Sequence, residues 1–274
     1  MTVRLFGMTC GWITMAAGGF LRGERGFVAV PVPSYLIEHP KGLVLFDSGM
    51  SPDLGSLEVS VREAALGPSA ARIKPTYKPG EDVASRLKAC GVDPAQIKYM
   101  ISSHLHFDHV GGNALLPNAR WLIQKREWQW ACSAECKAAG HYNGKLFDLG
   151  HDRFEVDGEA GEYDLFGDGT VTCIPTFGHT PGHQSLRVRL DDGDVILAAD
   201  ACYMRRVLET MHLPANFHDE ASALQTFQRL AAMQASGAQI IFGHDPTQWN
   251  GLNDGAVSEL TATEIGRVAQ LAHR

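Results

Sequence analysis

The sequence predicts a single α/β domain in which sheet layers are covered by helices. Three observations predict it. Short apolar runs recur along the chain up to both ends, amphipathic helical patterns lie between them, and 274 residues with 45% hydrophobic content can bury one sizeable core.

The strands come from runs 28–37, 43–46, 99–102, 121–123, 171–174, 186–190, 195–198 and 239–242, rich in β-branched and aromatic residues and flanked by Gly, Pro or Asp. Segment 5–21 is apolar behind Arg4 and has the outline of a signal-peptide core. Gly7, Thr9, Gly11, Thr14, Gly18 and Gly19 dilute it, and it falls short of a bilayer span, so a first strand and hairpin is the expectation. Asp82 is placed to cap a helix through Val83 and Leu87 to Gly91. Asp219 is placed to cap another, with Leu224, Phe227 and Leu230 on one face and Gly237 at its end. A last helix is expected to carry Val257, Leu260, Ile265 and Val268. Pro52, Pro68, Pro75 and Pro79 mark 50–82 as a long loop, a lid over a site.

The net charge of -7, with no basic run, argues against nucleic acid and for a small neutral or anionic partner. No stretch predicts a membrane span, and a homodimer is left open. Six cysteines are scattered, none in a C-x-x-C pair and Cys132 and Cys136 spaced C-x3-C; free thiols in a reducing cytoplasm fit this usage.

The feature that points to chemistry is His104-Leu105-His106-Phe107-Asp108-His109, directly after the run 99–102. Residues i and i+2 at a strand end point the same way, so His104 and His106 can share one ion, while Asp108 and His109 turn toward a second. Gly111 and Gly112 supply loose backbone for that turn. His179 follows run 171–174 within Gly178-His179-Thr180-Pro181-Gly182-His183, Asp200 ends run 195–198, and His244 follows run 239–242. Five imidazoles and two carboxylates suit two zinc-like divalent ions; iron, manganese or cobalt would also fit. A water between two such ions ionises near neutral pH, giving a hydroxide nucleophile.

This pattern resembles the metallo-β-lactamase superfamily, from Asp47 to His244. The resemblance implies a four-layer αββα sandwich, one ion held by His104, His106 and His179, the other by Asp108, His109 and His244, and Asp200 bridging. It also implies that Asp47 orients ligands; Ser48 stands where threonine is commoner, with no consequence expected. His183 is either a further supporting histidine or a structural one. Asp200-Ala201-Cys202-Tyr203 is similar to the aspartate-x-x-tyrosine of N-acyl homoserine lactone lactonases, as are the segment from Val30 to Ile37, Phe107 and Phe242-Gly243-His244-Asp245-Pro246.

The resemblance therefore implies a dinuclear hydrolase that opens N-acyl homoserine lactones by attack of a metal-bridging hydroxide. Tyr203 would assist at the carbonyl and Asp108 would shuttle a proton to the leaving oxygen. Met50, Phe107, Trp128 and Trp130 are candidate walls of an acyl groove. Another small lactone or ester remains an alternative. A glyoxalase II-like thioester hydrolase is disfavoured because only about thirty residues, few of them basic, follow His244. A phosphodiesterase lacks its cationic phosphate site here.

Overall fold

The computed structural model describes residues 2–215, 217–253 and 257–271, the side chain of Pro68 excepted. Its strands are β1 (Arg4–Ala16), β2 (Phe27–Glu38), β3 (Leu43–Phe46), β4 (Lys74–Thr76), β5 (Ile97–Ile101), β6 (Arg120–Gln124), β7 (Arg153–Val156), β8 (Tyr163–Asp164), β9 (Val171–Pro175), β10 (Gln184–Leu190), β11 (Gly193–Ala199), β12 (Gln239–Phe242) and β13 (Val257–Leu260). The helices are α1 (Val59–Leu66), α2 (Val83–Ala89), α3 (Phe107–Val110), α4 (Lys125–Cys132), α5 (Ala134–Ala139), α6 (Arg205–Thr210), α7 (Glu220–Ala235), α8 (Pro246–Leu252) and α9 (Ala262–Leu271). One sheet runs β13-β1-β2-β3-β5-β6-β7 with β4 on β1, and the other runs β12-β11-β10-β9-β8.

Period-two alternation sorts the side chains into three apolar layers. In β3, Val44 and Phe46 point to a core shared with Leu186 and Val188 of β10 and Val195 and Leu197 of β11, so the two sheets face each other. Leu45 of the same strand points the opposite way, to a layer completed by Val83 and Leu87 of α2 and Ala131 of α4. On the far side of the small sheet, Ile196, Ala198 and Ile240 pack under Ala223, Phe227 and Leu230 of α7. Helix, sheet, sheet, helix is the αββα order expected. Among the described residues no helix is long and apolar enough to cross a membrane.

Residues 5–16 of segment 5–21 belong to β1, which pairs antiparallel with β2 across residues that include Leu5↔Ile37 and Ile13↔Val30, and 17–19 turn the chain toward β2. Asp82 caps α2 through Ser85 N–H, and Gly91 follows the helix at φ 76. Asp219 caps α7 through the N–H groups of Ala221 and Ser222. Three expectations need correction. Leu224 is 38% exposed; the buried face of α7 is Ala223, Thr226, Phe227 and Leu230. Val257 and Leu260 are not helical but form β13, paired with Met8 and Leu5 of β1, and only Ile265 and Val268 belong to α9. Segment 50–82 is not a bare loop: it holds α1 and β4, the latter paired with β1.

Candidate metal centre

Strand ends set the site. His104 and His106 follow β5, His179 lies between β9 and β10, Asp200 follows β11 and His244 follows β12. The pairing of β11 with β12 slips between Leu197 and Ala199, and Ala199 takes φ 48, a left-handed conformation at which a side chain is strained. That bulge ends the strand at the residue before Asp200. Asp47 likewise sits at φ 57, in a region Asp tolerates better than most.

The seven residues singled out from the sequence come together in two buried groups. One is His104, His106, His179 and Asp200; the other is Asp108, His109 and His244. In the first, His104 Nε2 and His106 Nδ1 are 2.8 Å apart, and His179 Nε2 lies 3.2 and 3.1 Å from them. Nitrogens placed tetrahedrally at about 2.0–2.1 Å from zinc stand about 3.3 Å apart, so this triangle has the dimensions of three ligands to one ion. Asp200 spans the groups: Oδ2 lies 3.2 Å from His179 Nε2 and 3.7 Å from His104 Nε2, while Oδ1 lies 3.0 Å from His244 Nε2 and 3.2 Å from His109 Nε2. Asp108 Oδ2 is 3.7 Å from His109 Nε2 and 3.6 Å from His244 Nε2. His109 Nε2 and Asp200 Oδ1 are buried without satisfactory hydrogen-bond geometry, and orphaned polar atoms aimed at a common point fit a cation between them.

Hydrogen bonds behind the rings fix which nitrogen faces inward. His109 Nδ1 donates to Asp47 Oδ2 at 2.8 Å, and His244 Nδ1 donates to the Pro31 carbonyl at 2.8 Å. Ser103 donates its hydroxyl to the same Asp47 oxygen at 2.8 Å, which leaves its oxygen to accept from His104 Nδ1 at 3.0 Å. Asp47 thus holds one ring directly and another through Ser103, a residue the sequence reading passed over. Behind His179, Nδ1 lies 3.1 Å from the Tyr203 hydroxyl. His183 places Nδ1 2.9 Å from Thr176 Oγ1, with its ring 5.2 Å from that of His104.

Burial holds His104 and His179 well below the usual imidazole range, neighbouring imidazoles adding to the effect at His104, and takes His106 down to about 4. They are therefore neutral, the form that ligates. At Asp200 burial opposes the charge, but His109 and His244 outweigh it and keep the carboxyl well below its usual range. His109 is pushed up, burial opposing and Asp200, Asp108 and Asp47 prevailing.

The glycines after the motif need a different explanation from loose backbone. Gly111 and Gly112 have φ of −63 and −93, open to any residue. What they provide is space. A Cβ on Gly111 would stand 2.3 Å from Ser51 N, and one on Gly112 2.4 Å from the Ser48 carbonyl oxygen. Gly111→Ala is accordingly expected to lower stability by about 3 kcal/mol or more, because backbone rather than a flexible side chain must yield. Urea denaturation of both proteins measures this; equal midpoints and slopes would refute the packing argument.

His106, Asp108, His179, Asp200 and His244 line a cavity of about 470 Å³. Ile13, Met15, Phe20, Ile73, Phe107, Phe217 and Trp130 supply apolar wall, and Arg72, His141, Tyr142 and His218 polar wall. Of four wall residues expected from sequence, Phe107 and Trp130 are placed there. Met50 is fully buried in an apolar cluster, and Trp128 stacks edge-on against Trp121 and Phe147. Segment 50–82 reaches the cavity through Ser69, Arg72 and Ile73.

Residues 28–244 match the metallo-beta-lactamase superfamily model. The chain is 35% identical over 233 residues to the N-acyl homoserine lactonase AttM of Azorhizobium caulinodans, covering 83% of this chain and 87% of that one. It is 32% identical over 226 residues to the N-acyl homoserine lactonase AiiA of Bacillus thuringiensis subsp. kurstaki, covering 80% and 83%. A solved N-acyl homoserine lactone hydrolase with N-hexanoyl-L-homoserine at its catalytic metal centre superposes with a TM-score of 0.79 at 28% identity, over 92% of this chain and 98% of the other. The chain belongs to the metallo-beta-lactamase superfamily and, within it, to the family of the N-acyl homoserine lactonases.

Proposed function

We propose that this protein is a dinuclear, zinc-dependent lactonase that opens the ring of N-acyl homoserine lactones. The observation that carries the reading is Asp200, whose two oxygens face the two ligand groups at one wall of an apolar-sided cavity. The relatives named above, two of them lactonases by name and one bound to a ring-opened product, supply the substrate class. His104, His106 and His179 would hold one ion, Asp108, His109 and His244 the other, with Asp200 shared. Such ions supply Lewis acidity and a water acidic enough to ionise near neutral pH.

The side chains do the rest. Tyr203 would donate to the carbonyl oxygen as it gains charge, and Asp108, which lines the cavity, would take a proton from the attacking water and pass it to the ring oxygen as it leaves. Phe107, Ile13 and Met15 give an acyl tail apolar surface, while an amide finds polar partners among His141, His218 and Arg72. Residues 1–274 form one domain in this reading, because β13 and α9 return to β1 and the central core. The six cysteines are free thiols, as a reducing cytoplasm would keep them. Phe27 and Leu57, 80% and 97% exposed, are the most exposed large apolar side chains among the described residues.

Ring opening assayed across lactones, thioesters and phosphodiesters with metal-analysed enzyme tests the substrate class; turnover of a thioester or phosphodiester above any lactone would overturn it. The same preparation is expected to carry close to two divalent ions per chain, with activity and melting temperature both falling on chelation. Active enzyme containing one ion or none would rule out the dinuclear centre.

A further inference from the structure

Glu127 lies on α4 with no solvent exposure, in a segment whose charges otherwise read as a solvated helix face. A buried carboxylate is costly unless its lone pairs are used, and here four donors use them. Oε1 accepts from Leu105 N–H at 3.2 Å and from the Tyr142 hydroxyl at 2.7 Å. Oε2 accepts from the Thr180 hydroxyl at 2.7 Å and from Gly182 N–H at 3.0 Å. Leu105 is the residue between His104 and His106, and Thr180 is the residue after His179. One carboxylate therefore ties together the two chain segments that carry the three-imidazole triangle.

The contact is tight as well as polar. A Cβ on Gly182 would stand 2.1 Å from Glu127 N, so the segment around His179 lies directly on the first turn of α4. The fourth donor extends the arrangement to the cavity: Tyr142 lines it, and its ring meets that of His106 edge-on at 5.4 Å. We infer that Glu127 is a positioning residue that sets the His104–His106–His179 triangle for its ion and holds Tyr142 in the cavity wall. The inference rests on the metal reading above, and the two can fail separately.

Glu127→Gln keeps the shape but turns one acceptor oxygen into an NH2 group, which loses the bond from the backbone N–H it faces and forces the neighbouring hydroxyl to turn from donor to acceptor. Loss of a group that orients ligands typically weakens metal binding by about 10–100-fold. The expected result is about tenfold weaker binding of one of the two ions, read by zinc titration against a chromophoric chelator, with the other ion unchanged. A changed visible spectrum of the cobalt-substituted protein should accompany it, since the ligand triangle itself moves. Tyr142→Phe removes one donor and one cavity hydroxyl; it should alter KM for a lactone and leave both affinities within about twofold. Thr180→Val, which breaks a single bond to Oε2, is the milder variant if Glu127→Gln does not fold, and should weaken the same ion by a smaller factor. Two ions bound with wild-type affinity and an unchanged cobalt spectrum in folded Glu127→Gln, or in Thr180→Val where that alone folds, would overturn the inference and make Glu127 a packing residue. Wild-type protein that binds no ion would instead overturn the metal reading.

Discussion

Asp200→Asn is expected to lower kcat/KM by at least about a thousandfold, roughly 4 kcal/mol of transition-state stabilisation, and to release at least one ion. The reason is the division of its two oxygens: Oδ1 faces His109 and His244 within 3.2 Å, and Oδ2 faces His179 at the same limit. Asparagine keeps the outline and one oxygen. It replaces the other with an amide NH2 that cannot ligate, and it removes the charge shared by both groups. The bulge at Ala199 that precedes the side chain remains, so the fold should survive. Elemental analysis, circular dichroism and lactone hydrolysis on one sample separate the outcomes. A folded variant with two ions and near wild-type turnover would show that Asp200 does not join the two groups. Loss of fold would point to the carboxylate as a structural anion that offsets the buried imidazoles.

Five of the seven candidate ligands were legible because they stand at strand ends, which are marked locally by apolar runs and the polar residues that stop them. Asp108 and His109, on the short helix α3, were legible from their place in the motif that starts at His104. His104, His179, Asp200 and His244 follow β5, β9, β11 and β12, and those runs could be read to within a few residues. Glu127 was not legible, because its burial comes from Gly182, fifty-five residues on, whose missing side chain lets another segment lie on α4. Nothing in Lys125-Arg126-Glu127-Trp128 separates it from a surface helix. The misreading of 257–260 has a similar origin. Val257 and Leu260 are spaced three apart, in step with Ile265 and Val268, so they pass for a continuation of α9; their pairing with Met8 and Leu5 is made across almost the whole chain. Likewise Met50 and Trp128 have the right chemistry for a cavity wall, but only the packing of Trp128 on Trp121 and Phe147 shows that it belongs to the core.

Tyr203→Phe should cost about 1–3 kcal/mol in the lactone reaction, roughly five- to 150-fold in kcat/KM, while both ions stay bound. Tyr203 is only 3% exposed and sits among Phe20, Phe217 and the rings of His179 and His244, so a packing role competes with a catalytic one. The tautomer of His179 separates them. For Nε2 to face its group at 3.1–3.2 Å, Nδ1 must carry the proton, and the phenol oxygen 3.1 Å away must accept it. In the proposed reaction the Tyr203 proton would turn to the carbonyl oxygen gathering negative charge beside His179. Phenylalanine fills the same space between Phe20 and Phe217, so the melting temperature should move little, and the change should fall on kcat more than on KM. A packing role gives the opposite pattern: a lower melting temperature and wild-type turnover per folded molecule. Metal content, melting temperature and hydrolysis measured on one preparation decide between them. Full turnover with two bound ions would remove Tyr203 from the reaction and leave the oxyanion to the ions alone.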